Sequence, residues 1–265
     1  MLQAGDQVGD FEIIGPVGQG GMATVYKAYH EKLDRHVAIK LMHQTFLQDE
    51  DFRARFSREA RIVAKLEHPN IVSIYDFSEY SNTPYLVMKF VDGMTLKRKA
   101  IKTGLTLEET AQILGDVADA LDYAHSRGVL HRDMKRSNIL VDRDGRPYIT
   151  DFGLARIAEA GASTISHDMM LGTPFYISPE QAQGEKDLDT RTDIYSLGVI
   201  LYELVAGRVP FSADTPYAIV HGHIYQAPLP ASDYNSELTA EIDAILEKAL
   251  AKDRNERYPT AKALI

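Results

Sequence analysis

The sequence predicts an α+β fold in which a small antiparallel sheet with one helix precedes a mainly helical region. Apolar residues alternate in short runs over the first third of the chain, and period-two alternation is typical of half-buried strands. The runs are Phe11–Val17, Thr24–Tyr29, His36–Met42, Ile71–Phe77 and Tyr85–Phe90. After Gly93 the apolar residues recur at helical spacing. This change predicts a hinge at about residues 88–93, between a region of about residues 1–90 and one of about residues 94–265.

One helix is predicted inside the sheet region, between Asp49 and Leu66. Apolar side chains recur there at helical spacing, acidic residues at the start complement the helix dipole, and a proline follows the end. The apolar positions are Phe52, Phe56, Ala60 and Val63. In the second region, helices are predicted over Leu107–Ser126, Asp193–Ala206 and Leu238–Lys252, and a last one from Thr260 onward. Asp193 is the predicted cap of its helix and Gly207 its end.

The composition excludes several classes of protein. The 265 residues include no cysteine, so disulfides, thiolate metal sites and a cysteine nucleophile are excluded. A formal net charge of −9 argues against partners such as nucleic acid or an anionic membrane surface. The N-terminus lacks the pattern of a secretory signal, and the longest apolar stretch, Ile194–Ala206, is interrupted by Glu203 and is too short to cross a bilayer. We therefore expect no membrane contact from this segment.

A glycine-rich segment, Gly18–Val25, lies between two predicted strands. A dinucleotide-binding fingerprint would need a strand followed by a helix, so that interpretation does not fit. Glycines at this place allow backbone N–H groups to approach a polyphosphate, and they equally suit a tight hairpin turn. In the next strand Ala38 and Lys40 share a face, so a flat base and its phosphates could lie against them. Glu59, on the predicted helix, could fix the lysine; the alternative is that both are solvated surface charges.

The strongest local pattern is His131–Asn138 followed by Asp151-Phe152-Gly153. Two short predicted strands joined by an Asp-Gly turn lie between the two motifs, which predicts a hairpin. Asn138 precedes the first strand and Asp151 follows the second, so antiparallel pairing brings their oxygen atoms to one open end, where a magnesium ion could be shared with phosphate oxygens. Asp133 lies close by in sequence and could accept or orient the proton of an attacking hydroxyl.

These motifs together resemble the Hanks-type, or eukaryotic-type, protein serine/threonine kinases, and in particular their bacterial branch. The resemblance covers residues 11–265. In chain order, the matching pieces are the glycine-rich segment, Val37–Lys40, Glu59, His131–Asp133, Asn138, Asp151–Gly153 and Ser178–Glu180, with Asp193 and Arg257. The resemblance implies a bilobal protein-kinase fold that binds MgATP in its cleft and transfers a phosphoryl group to Ser or Thr hydroxyls of proteins.

The resemblance also implies roles for individual residues. Lys40 would hold the α and β phosphates and pair with Glu59, Lys135 would contact the γ phosphate, and Asp133 would serve the acceptor hydroxyl. Mg²⁺, or Mn²⁺ in its place, would be ligated by Asn138 and Asp151. The implied ATP contacts are Val17, Gly18, Gly20, Gly21, Val25, Ala38, Lys40, Met88, Lys89, Val91 and Leu140.

Two features are similar to the pattern of kinases that act on Ser and Thr: Lys135 two places after Asp133, and Thr173 before Pro174. Glu180 and Arg257 resemble a structural ion pair of the family, and Asp193 resembles the carboxylate that braces the catalytic loop. The sequence departs from the family pattern at Ala23, which replaces the third loop glycine, and at Arg136, where proline is common. Neither departure removes a residue with an implied catalytic role.

The segment after Asp151 resembles an activation segment that is switched on by phosphorylation. Its predicted acceptors are Thr164 first, then Ser166 and Ser163. Three arginines would bind the added phosphate; they are Arg55, Arg132 and Arg156. A homodimer would allow one copy to phosphorylate another.

Two other functions stay open at this point: a pseudokinase that binds without turnover, and a small-molecule phosphotransferase of similar fold. The expected location of the domain is cytoplasmic. Bacterial relatives often continue into a membrane span, so a membrane anchor after Ile265 stays open as well.

Overall fold

The alternating segments form strands in the computed structural model, which describes residues 2–21, 23–43, 50–152 and 174–265. For residues 50–53 and 55 only the backbone is described. The chain divides into two units, Met1–Asp92 and Gly93–Ile265. The division falls where the sequence pattern changes from strand to helix.

The N-terminal unit contains a six-stranded antiparallel sheet of order β1-β2-β3-β4-β6-β5 and one helix. The strands are β1 Gln7–Val8, β2 Phe11–Gln19, β3 Ala23–His30, β4 Arg35–Met42, β5 Ile74–Tyr80 and β6 Thr83–Lys89, and the helix is α1 Glu50–Val63. Phe56 of α1 packs on Phe77 of β5 with ring centroids 5.7 Å apart. The predicted sheet with one inserted helix is confirmed.

The two faces of this sheet have different roles. One face carries a hydrophobic core that includes Tyr26, Val37, Ile39 and Val87. Because side chains alternate along a strand, Ala38 and Lys40 lie on the opposite face. The core therefore fixes the register that presents Lys40.

The C-terminal unit combines a three-stranded sheet with helices. The strands, in the order β7-β8-β9, are β7 Gly93–Thr95, β8 Ile139–Asp142 and β9 Pro147–Ile149. The helices are α2 Leu96–Thr103, α3 Leu107–His125, α4 Pro179–Ala182, α5 Arg191–Ala206, α6 Pro216–Tyr225 and α7 Ala240–Ala249. Most of α5 is buried, and its Gly198 lets α7 approach closely: a Cβ there would lie 2.8 Å from the Cβ of Ala249. Within the described ranges, no helix has both the length and the hydropathy to span a bilayer.

Three details of the predicted elements are wrong. Helix α5 begins at Arg191 after Thr190, and Asp193 lies in its first turn, where an acidic residue also complements the helix dipole. No helix forms from Thr260 onward; instead, the N–H groups of Ala261 and Lys262 donate to the carboxylate of Asp122, at 2.8 and 3.0 Å. The third wrong detail is the strand predicted over the run Ile71–Phe77. The strand there, β5, is Ile74–Tyr80. Ile71 and Val72 are buried but lie before it.

A buried ion pair joins α4 to the end of the chain, as the resemblance implied. Arg257 donates two hydrogen bonds to the Glu180 carboxylate, at 2.8 and 2.9 Å, and Thr192 donates a third at 2.7 Å. Burial alone would raise the pKa of Glu180, but Arg257 holds that pKa below its ordinary value. Removing one partner of such a pair costs about 3–5 kcal/mol, since the other charge is left buried alone. The pair therefore stabilises the unit that carries His131–Asn138.

Gly93, at the start of the C-terminal unit, has no room for a side chain. A Cβ would lie 2.0 Å from the backbone oxygen of Val141 and 2.7 Å from the Cα of Asp142. We expect Gly93→Ala to lower the free energy of unfolding by about 1–3 kcal/mol or more, because β7 must move away from β8. Denaturant unfolding measures this. Gly115→Ala in α3 is the matched control, since nothing lies within 4 Å of that Cβ position, and it is expected to leave stability unchanged or raised. Equal stabilities for both variants would contradict the expected clash.

Candidate active site

The glycine-rich segment forms the hairpin between β2 and β3. Gly18 pairs with Val25, and the Gly20 N–H donates to the Ala23 oxygen at 2.9 Å. His43 lies beside the loop: its Nδ1 is 3.0 Å from the Gly21 oxygen, and its Nε2 is 3.0 Å from Thr24 Oγ1. Since a carbonyl oxygen only accepts, Nδ1 carries the proton. No local sequence pattern predicts this contact of His43.

Four of the residues predicted to contact ATP, Val25, Ala38, Lys40 and Met88, share one face of the N-terminal sheet. Val25 and Leu86 lie opposite Lys40 on the neighbouring strands, and Met88 lies opposite Ala38. Lys40 and Ala38 are each 8% exposed, while Val17 and the loop glycines Gly18, Gly20 and Gly21 are exposed. Lys89 and Val91 are half-buried at and just after the end of β6. The half-buried Glu59 is on α1, and its pairing with Lys40 stays a prediction.

The predicted hairpin between the two motifs of the C-terminal unit is confirmed. Ile139 pairs with Ile149, and the Thr150 N–H donates to the Asn138 oxygen at 2.9 Å. Asn138 and Asp151 therefore flank the same end of the hairpin. Leu140 is half-buried in the central strand, β8.

Asp133 is held by hydrogen bonds from two other predicted site residues, Lys135 and Asn138. The Lys135 ammonium donates to both carboxylate oxygens, at 2.9 and 2.7 Å, and Asn138 Nδ2 donates to the Asp133 backbone oxygen at 2.8 Å and to Oδ2 at 3.1 Å. The Asp133 side chain is 40% exposed, so an incoming hydroxyl can reach it. A carboxylate, a cation and an amide thus converge within the reach of hydrogen bonds.

The donor atoms at this end fit a magnesium ion. Both Nδ2 contacts of Asn138 point its amide toward Asp133, which leaves Oδ1 as the oxygen available to a cation. The Asp151 carboxylate is a hard oxygen donor of the kind Mg²⁺ prefers. Among the described residues there is no group of three or more His, Cys, Asp and Glu side chains suited to a metal. Two protein ligands are what Mg²⁺ uses when phosphate oxygens and water complete its shell.

A buried carboxylate braces the backbone before Asp133. Asp193 is fully buried and accepts hydrogen bonds from the N–H of His131 at 2.8 Å, from the N–H of Arg132 at 2.7 Å and from His125 Nε2 at 2.8 Å. Burial alone would raise the pKa of Asp193, but the bond from His125 and the contacts of His131 hold that pKa below its ordinary value. Asp193 therefore stays charged and fixes the loop, as the resemblance implied.

His131 connects this loop to the strand before Asp151. Its Nδ1 accepts from the Asp133 N–H at 3.2 Å, so its Nε2 carries the proton and donates to the Thr150 oxygen at 2.9 Å. Arg132 and Asp151 both have positive φ, 66° and 68°. A conformation that L residues rarely adopt persists only where its surroundings hold it. Arg132, which precedes Asp133, and the predicted metal ligand Asp151 are therefore both held in strained backbone conformations.

Several predicted residues lie outside the described residues: Gly153, Arg156, Ser163, Thr164, Ser166 and Thr173. Of Arg55 only the backbone is described. Arg132 is half-buried next to Asp133. The phosphorylation switch therefore stays a prediction.

The contacts that tie the loop His131–Asn138 to the segment 174–182 were not predicted from the sequence. Gln181 Nε2 donates to the Arg132 oxygen at 2.8 Å, and Glu203 accepts from both Arg136 and Tyr176. One signal was available: Glu203 interrupts an apolar stretch, and a buried glutamate is almost always paired.

Comparison with known proteins agrees with this geometry. Residues 11–265 match the family model of the protein kinase domain. A probable serine/threonine-protein kinase of Streptomyces coelicolor is 42% identical over 256 residues, which are 94% of this chain and 38% of that protein. The serine/threonine-protein kinase PknB of Mycobacterium tuberculosis is 39% identical over 251 residues, which are 92% of this chain and 40% of that protein.

Among solved structures, the PknI kinase domain of Mycobacterium tuberculosis aligns with a TM-score of 0.79 and 30% identity, covering 100% of this chain and 96% of that one. The chain spans about two fifths of the length of the curated relatives it matches.

Proposed function

The chain belongs to the protein kinase family as a Hanks-type serine/threonine kinase catalytic domain of the bacterial branch, and we propose on this premise that it transfers the γ-phosphoryl group of MgATP to Ser and Thr hydroxyls of proteins. The observation that carries the proposal is the cluster of Asp133, Lys135 and Asn138, with its backbone braced by buried Asp193. A pseudokinase commonly lacks one of these groups.

In the C-terminal unit, Asp133 orients the acceptor hydroxyl and takes its proton as the oxygen attacks the γ-phosphorus and the bond to the departing ADP oxygen breaks. Lys135, already 2.7 Å from Asp133, is placed to neutralise charge on the transferred group. Asn138 and Asp151 would hold the divalent metal, which would offset the negative charge of the phosphates.

In the N-terminal unit, Lys40 holds the α and β phosphates and Glu59 fixes its side chain. Val25, Ala38 and Met88 offer a flat apolar surface for adenine on the face of the sheet that bears Lys40. Protein kinases use ATP and a divalent metal; the oxygen ligands of this chain support Mg²⁺, with Mn²⁺ as the second choice.

Incubation with γ-labelled ATP, Mg²⁺ and either casein or a basic protein tests the proposed function. We expect label on Ser and Thr of the added protein, identified by phosphoamino-acid analysis, and roughly 100-fold less or lower still with Asp133→Asn. Nucleotide binding without transfer would support a pseudokinase. Transfer to a small molecule but never to protein would support the small-molecule phosphotransferase. Replacing Mg²⁺ with Mn²⁺ in the same assay identifies the preferred ion.

We expect the segment after Asp151 to switch the activity on when it is phosphorylated, first at Thr164 and then at Ser166 or Ser163. A phosphate carries about −1.5 to −2 charges and could bind Arg55, Arg132 and Arg156 together, which would order the segment. Replacing the three hydroxyl residues by Ala should lower activity about tenfold or more.

Intact-mass comparison of the wild type with Asp133→Asn shows whether the chain adds this phosphate itself. Full activity of the triple Ala variant would rule the switch out. We propose that a second copy of the chain carries out this step. The initial rate of autophosphorylation per enzyme molecule should then rise with enzyme concentration. Other proposed partners are protein substrates, in the cytoplasm.

A further inference from the structure

A chain of three side chains joins the loop that carries Asp133 to the segment that leads into α4. Arg136, on the short 3-10 helix Arg136–Asn138, donates from Nη2 to Glu203 Oε1, and the Tyr176 hydroxyl donates to Glu203 Oε2. The Arg136 and Glu203 side chains are only 14% and 11% exposed. Arg136 and Glu203 therefore form a largely desolvated pair, and the Tyr176 hydroxyl is bound to it.

The negative charge of Glu203 needs the nearby Arg136 cation because Glu203 lies among apolar residues of α5. Its helix neighbours Ile200 and Tyr202 are at most 1% exposed. A buried carboxylate without a partner is strongly destabilising. Within the described ranges, Arg136 is the one cation in salt-bridge contact with Glu203, and an arginine is charged at any physiological pH.

Tyr176 is fixed at both ends. Its hydroxyl binds Glu203, and its backbone oxygen accepts from Ser196 Oγ of α5 at 2.7 Å. Burial, and then the hydrogen bond to Glu203, raise the pKa of the Tyr176 phenol well above its ordinary value. Tyr176 is therefore a permanent donor, and its position depends on the charge and placement of Glu203.

A second attachment lies on the other side of Asp133. Gln181 Nε2 donates to the Arg132 oxygen at 2.8 Å, and Gln181 is itself held by a capping box with Ser178. Asp133 thus lies between two points, Arg132 and Arg136, at which the segment 174–182 is fastened to the catalytic loop. Residues 174–177 of that segment are half-buried, so part of their surface reaches solvent near the loop that carries Asp133.

We infer that Arg136 is a positioning residue for the protein acceptor: through Glu203 and Tyr176 it fixes the surface of residues 174–177 relative to Asp133. The inference rests on the proposed function and adds a residue at a position where proline is common in related kinases. In this inference, an acceptor whose hydroxyl reaches Asp133 lies against this surface. Arg136 follows Lys135 directly and shares its 3-10 helix with Asn138, but its side chain binds Glu203, so acceptor binding should depend on that side chain more than nucleotide binding does.

The test compares Arg136→Met, Arg136→Lys and the double variant Arg136→Met/Glu203→Gln with the wild type. The control is Arg146→Met, the same change at an exposed arginine in the β8–β9 turn. For each variant we would measure the KM for casein, the KM for ATP, ATP hydrolysis without acceptor, and thermal unfolding.

We expect Arg136→Met to raise the KM for casein about tenfold or more while the KM for ATP and acceptor-free hydrolysis stay within about twofold. Arg136→Lys keeps a charge beside Glu203 and should restore the KM for casein to within about threefold of the wild type. The double variant removes the uncompensated carboxylate and should lie between the two. Arg146→Met should match the wild type.

An unchanged KM for casein in Arg136→Met would overturn the inference, and so would a parallel rise in the KM for ATP, which indicates general damage to the fold. Equal defects in the Lys and Met variants would overturn the role of the charge. Should Arg136→Met fail to fold, the Lys and double variants decide by the same criteria. Casein phosphorylation by the wild type tests the proposed function separately: its absence refutes that function, whereas its presence with unchanged variants refutes only the role of Arg136.

Discussion

Asp133→Asn is expected to lower phosphoryl transfer by roughly 100-fold or more while the affinity for ATP stays near that of the wild type. The amide of Asn keeps one oxygen that can accept from Lys135 and Asn138, so the loop should retain its shape. It cannot accept a proton from the attacking hydroxyl. The loss should therefore appear in kcat, measured with saturating ATP and casein, and not in the Kd for ATP measured by calorimetry.

The matched control for this experiment is Asp144→Asn, the same substitution at an exposed position in the β8–β9 turn. It should leave both kcat and ATP affinity unchanged. If Asp133→Asn kept more than about a tenth of the wild-type kcat, the proton would be leaving by another route, since a positioned acid or base usually contributes at least 10²-fold. The assignment of the catalytic loop would then be wrong.

Much of the fold follows from local pattern. Alternation predicts the strands that carry Ala38 and Lys40, and an Asp-Gly turn predicts the hairpin that brings Asn138 and Asp151 to one end. These predictions succeed because a strand or hairpin is decided by neighbours close in sequence. The same holds for the end of α5, where Gly207 adopts the left-handed conformation of a helix C-cap, with φ of 74°.

Contacts between distant residues are where local pattern fails. The local pattern predicts Asp193 as a helix cap. Its carboxylate instead accepts hydrogen bonds from backbone N–H groups more than sixty residues earlier. The segment after Thr260 loses its predicted helix because Asp122, more than 130 residues earlier, takes two of its N–H groups. No spacing rule reveals such pairs, although a lone acidic residue in an apolar segment does indicate that a partner exists.

The second large effect is expected for Asp193→Asn, because three donors converge on two carboxylate oxygens. Oδ1 accepts from the Arg132 N–H, and Oδ2 accepts from the His131 N–H and His125 Nε2. In Asn one of these oxygens becomes an NH₂ group that faces a donor in either orientation. At least one buried backbone N–H then loses its partner, which costs about 1–3 kcal/mol.

The pH dependence of stability should change in the same variant. The pKa of Asp193 is lower in the folded chain than the unfolded value of about 3.9. Its contribution to stability is therefore fully present above that unfolded pKa and is lost as the pH falls through the lower folded pKa. Asp193→Asn removes this contribution at neutral pH, so the stability difference between the variant and the wild type should shrink as the pH falls below the unfolded pKa of about 3.9.

The loss of activity in Asp193→Asn should exceed what the lower stability explains. Arg132 holds a φ of 66° with its N–H bound to Asp193, and a released backbone would relax and move Asp133, where a displacement of about 1 Å can cost roughly 100-fold. We expect kcat to fall by about that factor at a temperature where circular dichroism shows the variant fully folded. Asp119→Asn, which breaks only an exposed pair with Lys262, is the control and should keep both stability and kcat. A folded Asp193→Asn variant with kcat within about threefold of the wild type would show that Gln181 and the Arg136–Glu203–Tyr176 contacts suffice to hold the loop.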